Sequence, residues 1–279
     1  MLAAVVLLTA MFAIIRGMAQ ELPPFVVALM RTSSALVFLG PVVMRQGRLG
    51  TQRPFGHFMR AFFGISSFAC LVWALRELIL ADATAISFTA PFWSFVLAIA
   101  FLGERIVFTR LAATIVGFIG VLMIAKPTGA MEPAMLLAVA SALLTSFAIT
   151  TMKGLTATEP AERIVFYFFL LGSLMLLPLA LLDWQTPDLR QFAWLIGAGL
   201  AGVLGQFCMT RAYGLAPVSL ITPLDFLRLP VAGLLGLLAF DEVPDLWSIA
   251  GAVVIIGAAL VVARRESRRV NPALAASDT

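Results

Sequence analysis

Charge is scarce in this chain. Asp, Glu, Lys and Arg together make up 12% of its 279 residues, against about 25% in ordinary soluble domains. A water-soluble globule with so few charges would expose apolar surface it could not cover. Histidine is nearly absent, with His57 alone, and there are two cysteines, Cys70 and Cys208. That inventory excludes a His/Cys metal cluster. Both cysteines lie in apolar stretches, which argues against a disulfide framework. No Gly-rich phosphate loop, Gly-x-Ser-x-Gly elbow or His-Glu-x-x-His pair is present, so neither ATP hydrolysis nor a cofactor is expected. What the chain has in quantity is apolar sequence: 61% of residues are hydrophobic and the mean hydropathy is +1.02. The formal charge of +4 and pI near 9.7 would suggest nucleic acid in a soluble protein. Here they are read as a membrane-topology signal, with the lipid bilayer as solvent and no nucleic-acid partner.

A membrane span needs roughly 20 apolar residues. Ten stretches qualify: 1–20, 23–44, 55–77, 81–102, 107–126, 132–153, 162–182, 190–213, 217–240 and 246–264. The first carries Arg16 after its apolar run rather than before it, so it reads as a span and not as a signal peptide. Links are short and predict one compact bundle.

The two halves repeat each other. Arg76–Ala81 and Arg211–Ala216 both read Arg-x-x-x-Leu-Ala. Arg16-Gly17 returns as Lys153-Gly154, Pro41 as Pro178 and Glu104 as Glu242, at offsets of 135 to 138 residues. A fixed-period duplication of hydrophobic segments marks a repeat-built transporter. The division predicts a five-span unit over 1–126, a second over 131–265 and a tail over 266–279. Five is odd, so the second unit enters the membrane upside down. With the N-terminus in the cytoplasm, thirteen Lys and Arg residues fall on the cytoplasmic side, including Arg45, Arg53, Arg60, Arg110, Lys153 and Arg163. Four, Arg16, Arg76, Lys126 and Arg190, fall opposite. The bias puts both termini and the tail inside.

Two runs resemble a known family. Ala85-Ile86-Ser87-Phe88-Thr89-Ala90-Pro91 through Phe101-Leu102-Gly103-Glu104-Arg105 looks like the fourth-span signature of the EamA type of the drug/metabolite transporter superfamily. Its echo, Thr222 to Pro230 and on to Asp245, looks like the ninth-span signature. The resemblance covers nearly the whole chain. It implies an all-α integral membrane fold of ten transmembrane helices, built as two inverted five-helix repeats around a central solute cavity. It also implies a permease for amino acids, nucleotide sugars, vitamins or other metabolites. The second half carries three extra residues between Ala216 and Glu242, Pro223 among them, so the two gates should differ.

Several residues are candidates for a site. Pro91, Pro223 and Pro230 interrupt spans four and nine; proline strands carbonyls without helical partners, and paired interrupted segments point to a transporter's binding site. The plainer alternative is a simple kink. Asp225 and Arg228, three residues apart near mid-membrane, share a helix face. They anchor substrate, exchange a proton, or form a static pair. Arg31, eight residues into span two, could grip an anion, although a structural arginine bonded to carbonyls or to Asp225 is the favoured reading. Trp73, Phe88, Phe92, Trp93, Tyr167, Gln206 and Phe226 could line the cavity, though most such aromatics face lipid or core. Arg76, Arg211, Arg16 and Lys153 read as snorkelling span ends; Glu104 and Glu242 read as helix-end hydrogen bonders. Gly117, Gly120, Gly251 and Gly257 predict close helix contact, inside the bundle or across a homodimer.

The expectation is a secondary transporter in a bacterial-type inner membrane, moving a small polar metabolite by alternating access. The rival is an integral-membrane enzyme acting on lipid-like substrates. It would need clustered acids or histidines at an interface, and the cytoplasmic links hold no Asp-x-x-Asp pair.

Overall fold

The computed structural model describes residues 1–18, 21–45, 50–78, 80–127, 133–240 and 244–270. Among these, all regular structure is helical. The elements are α1 (Leu2–Met18), α2 (Pro24–Arg45), α3 (Pro54–Glu77), α4 (Leu80–Ser87), α5 (Ala90–Leu102), α6 (Phe108–Ala125), α7 (Met135–Leu155), α8 (Ala161–Leu181), α9 (Leu189–Leu215), α10 (Val218–Ile221), a 3-10 segment (Thr222–Leu227), α11 (Arg228–Phe240) and α12 (Leu246–Val270). Span four is α4 with α5. Span nine is α10, the 3-10 segment and α11. Nine of the ten expected spans are long and apolar enough to cross a bilayer among the described residues, and α1 is a shorter apolar helix. Helix α12 continues to Val270 rather than stopping near 264, carrying its arginines on a helical rod.

Local chemistry sets several ends. Pro54 opens α3 where a missing amide costs nothing. Asp188 accepts from the Gln191 amide at 2.7 Å, and the Gln191 side chain accepts from the Asp188 amide at 2.9 Å, a reciprocal cap that starts α9. Gly103, at φ +66°, ends α5 in the left-handed conformation that glycine adopts without strain. Asp245 caps α12 through the Ser248 amide at 2.9 Å and pairs with Lys126. Those hydrogen bonds, from Lys126 first, hold its carboxyl below the usual range.

The solvent is legible in the packing. The most apolar span, in α12, has only 22% of its residues buried. Large apolar side chains such as Phe108, Leu174, Leu238 and Val253 stand exposed along the rods. In water that would be an aggregation surface; in a bilayer it is the lipid-facing belt.

Helix pairings respect the duplication. Helix α3 packs on α7 as α9 packs on α1; α2 packs on α9 as α8 packs on α3; α5 packs on α7 as α11 packs on α1. The pairs α2 with α8 and α6 with α12 map onto themselves when the halves are exchanged. Pro41 and Pro178 occupy the interiors of the equivalent helices α2 and α8.

On the loop before α8, Glu159 gathers Thr51 at 2.7 Å, the Gln52 amide at 3.3 Å and Arg163 at 2.5 Å. Burial pushes its carboxyl up, but these hydrogen bonds and the Arg163 charge win and hold it below the usual range. The clasp ties the two halves together at that end of the bundle.

Candidate functional site

Helix α9 organises the interior. Gly202, Gln206, Met209 and Tyr213 fall within an arc of about 60° at 100° per residue, so they form one face. Small residues on α9 let its neighbours come close: a Cβ at Gly205 would meet Leu8 Cγ at 2.7 Å, and one at Gly199 would strike Ser34 and the Arg31 carbonyl. Ser34 reinforces the α2–α9 contact by donating to the Leu195 carbonyl at 3.2 Å.

Three arginines converge on this face from different helices. Arg31 of α2 lies beside Gly202 and donates to Met11 Sδ at 3.1 Å. Arg60 of α3 donates to Gln206 Oε1 at 3.1 Å, and its guanidinium stacks over the Phe168 ring at 4.4 Å. Arg228, opening α11, donates to Met209 Sδ at 3.6 Å. The charge bias counts Arg60 with the cytoplasmic basic residues, although it lies inside the expected span 55–77; α3 begins at Pro54 and carries Arg60 nearly two turns into the helix, where it is 3% exposed and turned to the interior. Its one legible signal was a charged residue inside an otherwise apolar span.

Span nine changes winding where the charges sit. Pro223 lies in the first turn of the 3-10 segment. With three residues per turn, positions i and i+3 eclipse, which sets Asp225 directly below Arg228; the Oδ1–Nε separation is 2.8 Å. About a quarter of each side chain stays accessible, 24% and 23%. The paired atoms themselves, Asp225 Oδ1 and Arg228 Nε, are buried, and charges at that depth are costly against lipid and are kept where a partner or a pathway meets them. Arg31 has no bond to Asp225, one of the two kinds of partner expected of a structural arginine; among the described residues it donates to Met11 Sδ.

Span four is broken at Phe88–Thr89, just before Pro91, which sits in the first turn of α5. Thr89 turns its hydroxyl back onto the Ile86 carbonyl at 2.6 Å, and Ser146 of α7 donates to the Ala90 carbonyl at 2.8 Å. Side chains near a helix break thus satisfy carbonyls in a setting without water. Pro230 lies within the first turn of α11 and is half-buried.

The aromatic candidates separate. Phe226 is wholly buried against Gly117, Val121 and Ile255; a Cβ at Gly117 would meet its ring at 2.5 Å. Phe226 is therefore a packing residue here rather than a cavity wall. Phe88 leans on it with ring centroids 6.1 Å apart, and Phe92 meets Phe118 edge-on. The Tyr167 and His57 rings lie tilted at 32° with centroids 4.6 Å apart; His57 is buried, and neither of its ring nitrogens is hydrogen-bonded. Trp73 and Trp93 are exposed, 50% and 37%.

A polar knot joins spans four, five, six, eight and nine at one end. Glu104 accepts from the Val218 amide at 2.6 Å, the Ser219 amide at 3.1 Å and the Ser219 hydroxyl at 2.6 Å. Arg110 donates to the same hydroxyl at 3.0 Å. Lys153 donates to the Tyr213 and Ala216 carbonyls at 2.6 and 3.0 Å, capping α9. Glu104 therefore bonds a helix end, though that of span nine rather than its own. Lys153 turns inward instead of snorkelling. Its sequence counterpart Arg16 has a side chain outside the described residues, as do Arg76 and Glu242.

The geometry has known relations. Residues 1–126 and 132–264 each match the EamA-like transporter family. An S-adenosylmethionine uptake transporter of Rickettsia bellii is 32% identical over 259 residues, covering 90% of this chain and 87% of that protein. A riboflavin transporter of Vibrio cholerae is 32% identical over 275 residues, covering 92% of each. A pseudopaline exporter of Pseudomonas aeruginosa is 28% identical over 261 residues, covering 91% of each. A crystal structure of a protein 18% identical in sequence superposes with a TM-score of 0.84, covering 97% of this chain and 96% of its own; that likeness speaks for the fold alone. Matched in both halves, and similar along nine-tenths of its length to named transporters, this multi-pass membrane protein belongs to the EamA-like transporter family.

Proposed function

We propose that this chain is a secondary transporter that moves a small polar metabolite, such as an amino acid or a related compound, across the inner membrane by alternating access. The observation that carries the reading is the Asp225–Arg228 pair, about a quarter of each side chain accessible, set mid-span where the 3-10 segment meets α11 beside α9. Charges at that depth serve a pathway or a partner, and interrupted spans in both halves frame it. The relatives support the class but diverge in cargo and direction: one is named for S-adenosylmethionine uptake, one for riboflavin, one for pseudopaline export. Counterflow tests the reading. Liposomes holding the purified protein and an unlabelled metabolite extract should accumulate labelled compounds from an outer labelled extract, and protein-free liposomes should not. Equal entry in both would end it.

Two five-span units, 1–126 and 131–265, related by an axis in the membrane plane, are the machine we envisage. The matched pairings of α3–α7 with α9–α1 support it, and each odd-numbered set of spans reverses direction. We place both termini, and the tail 266–279, in the cytoplasm. Arg60, Arg110 and Lys153 make interior bonds and drop out of the topology signal, but the remaining Lys and Arg still favour that side. With Cys70 and Cys208 replaced, a cysteine at Gly50 should be shielded from an impermeant thiol reagent in intact cells and one at Thr186 should react. The opposite pattern would invert the orientation.

A further inference from the structure

We infer that the interior site selects an anion, a solute bearing a carboxylate or a phosphate, and that Arg60 and Arg31 are its grip. The inference rests on the transporter reading and adds the substrate class. Guanidinium groups are permanently charged and present five N–H donors each. Three of them, from Arg31, Arg60 and Arg228, meet the α9 face between Gly202 and Met209, a rise of about 10 Å at 1.5 Å per residue. What the protein offers them in return is thin. Arg31 has a thioether, Met11, and thioether sulfur is a weak acceptor. Arg60 has one amide oxygen and the face of Phe168, and its Nε is buried without a partner. Arg228 has the Asp225 carboxylate and a second thioether, Met209. Among the described residues, one carboxylate is bonded within this set of three cations.

Interior charge of one sign is costly in a bilayer and is retained where an opposite charge completes it. Planar guanidinium donors match carboxylate and phosphate oxygens two at a time. The arrangement also has a built-in order. Asp225 holds Arg228, so an entering anion finds Arg31 and Arg60 with the most free donors. Gln206, one turn along the same α9 face from Gly202, accepts from Arg60 through its oxygen and has an amide nitrogen left to donate. A cationic solute would meet net repulsion at this face, so sequence similarity to a carrier of any one compound does not fix the cargo here.

The test uses the full-length protein in liposomes holding unlabelled metabolite extract. Uniformly 13C-labelled bacterial extract, split by ion exchange into anionic, neutral and cationic fractions, is supplied outside, and mass spectrometry identifies what enters. Labelled carboxylates or phosphates should enter from the anionic fraction, and their masses say which group is read. Arg60→Gln and Arg31→Gln should each cut that entry about tenfold or more, the loss expected for a hydrogen bond to a charged group. Arg60→Lys and Arg31→Lys, which keep the charge and lose the fork, should retain part of it, and they carry the test if the Gln variants do not insert. Entry confined to cations or to neutral compounds without an acidic group would overturn the inference and leave the transporter reading intact. So would anion entry unchanged in the variants. No entry from any fraction would remove the transporter reading and the anion site together.

Discussion

Asp225→Asn inserts normally and loses most of its net transport. The substitution keeps the size of the side chain and removes its charge, leaving Arg228 beside Arg31 and Arg60 without the carboxylate now 2.8 Å away. Breaking one side of a buried ion pair costs about 3–5 kcal/mol; with a quarter of each side chain open, screening places this pair at or below the lower end. Even about 1.4 kcal/mol charged to the rate-limiting conformation is tenfold in rate. The assay is solute entry into liposomes with and without a pH gradient. An Asp225 that exchanges a proton makes entry depend on the gradient, and the variant abolishes that dependence along with the rate. Unchanged rates with unchanged gradient dependence would leave Asp225 as a packing residue. If the variant instead fails to fold, the pair is a static lock, and Asp225→Asn combined with Arg228→Gln should recover the fold.

Most of the bundle was readable because a bilayer enforces long apolar runs. Helix ends fall within a few residues of the expected spans, and the interruptions in spans four and nine come at the prolines, where backbone chemistry leaves little choice. The interior polar contacts were harder. Arg60 counts with the cytoplasmic charges although it lies inside the expected span 55–77, because charges near span ends ordinarily snorkel; its bond to Gln206, 146 residues on, has no local signature. Lys153 looked like a snorkelling end because it closes the expected span 132–153. The carbonyls it caps belong to a helix sixty residues on, and no local pattern announces them. Phe226 shows a different limit. It stands next to Asp225 in sequence, but the 3-10 winding throws successive side chains about 120° apart, so Asp225 pairs with Arg228 and stays partly accessible while Phe226 enters the core. Gly117, Gly120 and Gly251 make the close contacts their spacing predicts, without the sequence showing with whom, whereas Gly257 does not: nothing lies within 4 Å of its would-be Cβ.

Gly251→Leu abolishes the folded protein, while Gly257→Ala leaves it unchanged. Helices α6 and α12 touch backbone to backbone: a Cβ at Gly251 would lie 2.6 Å from the Gly120 carbonyl oxygen, and a Cβ at Gly120 would lie 2.8 Å from the Gly251 carbonyl oxygen. Neither obstacle is a flexible side chain that can turn aside. Ile124 and Met123 close the remaining space around Gly251. Any side chain there must push the two helices apart, and α12 has little else to hold it, since most of it faces lipid. Between apolar helices in lipid there is no hydrophobic drive to restore contact, so the loss is direct: overpacking costs about 1–3 kcal/mol in an adaptable core and should exceed that where backbone is the obstacle. The wedge would also disturb Phe226, which rests on Ile255 and Gly117, and through it the 3-10 segment that presents Asp225. Gly257 has nothing within 4 Å of its would-be Cβ. Fluorescence-detected size exclusion and thermal melting in detergent read both variants. A Gly251→Leu protein that elutes and melts like the parent would mean that the close α6–α12 contact is dispensable.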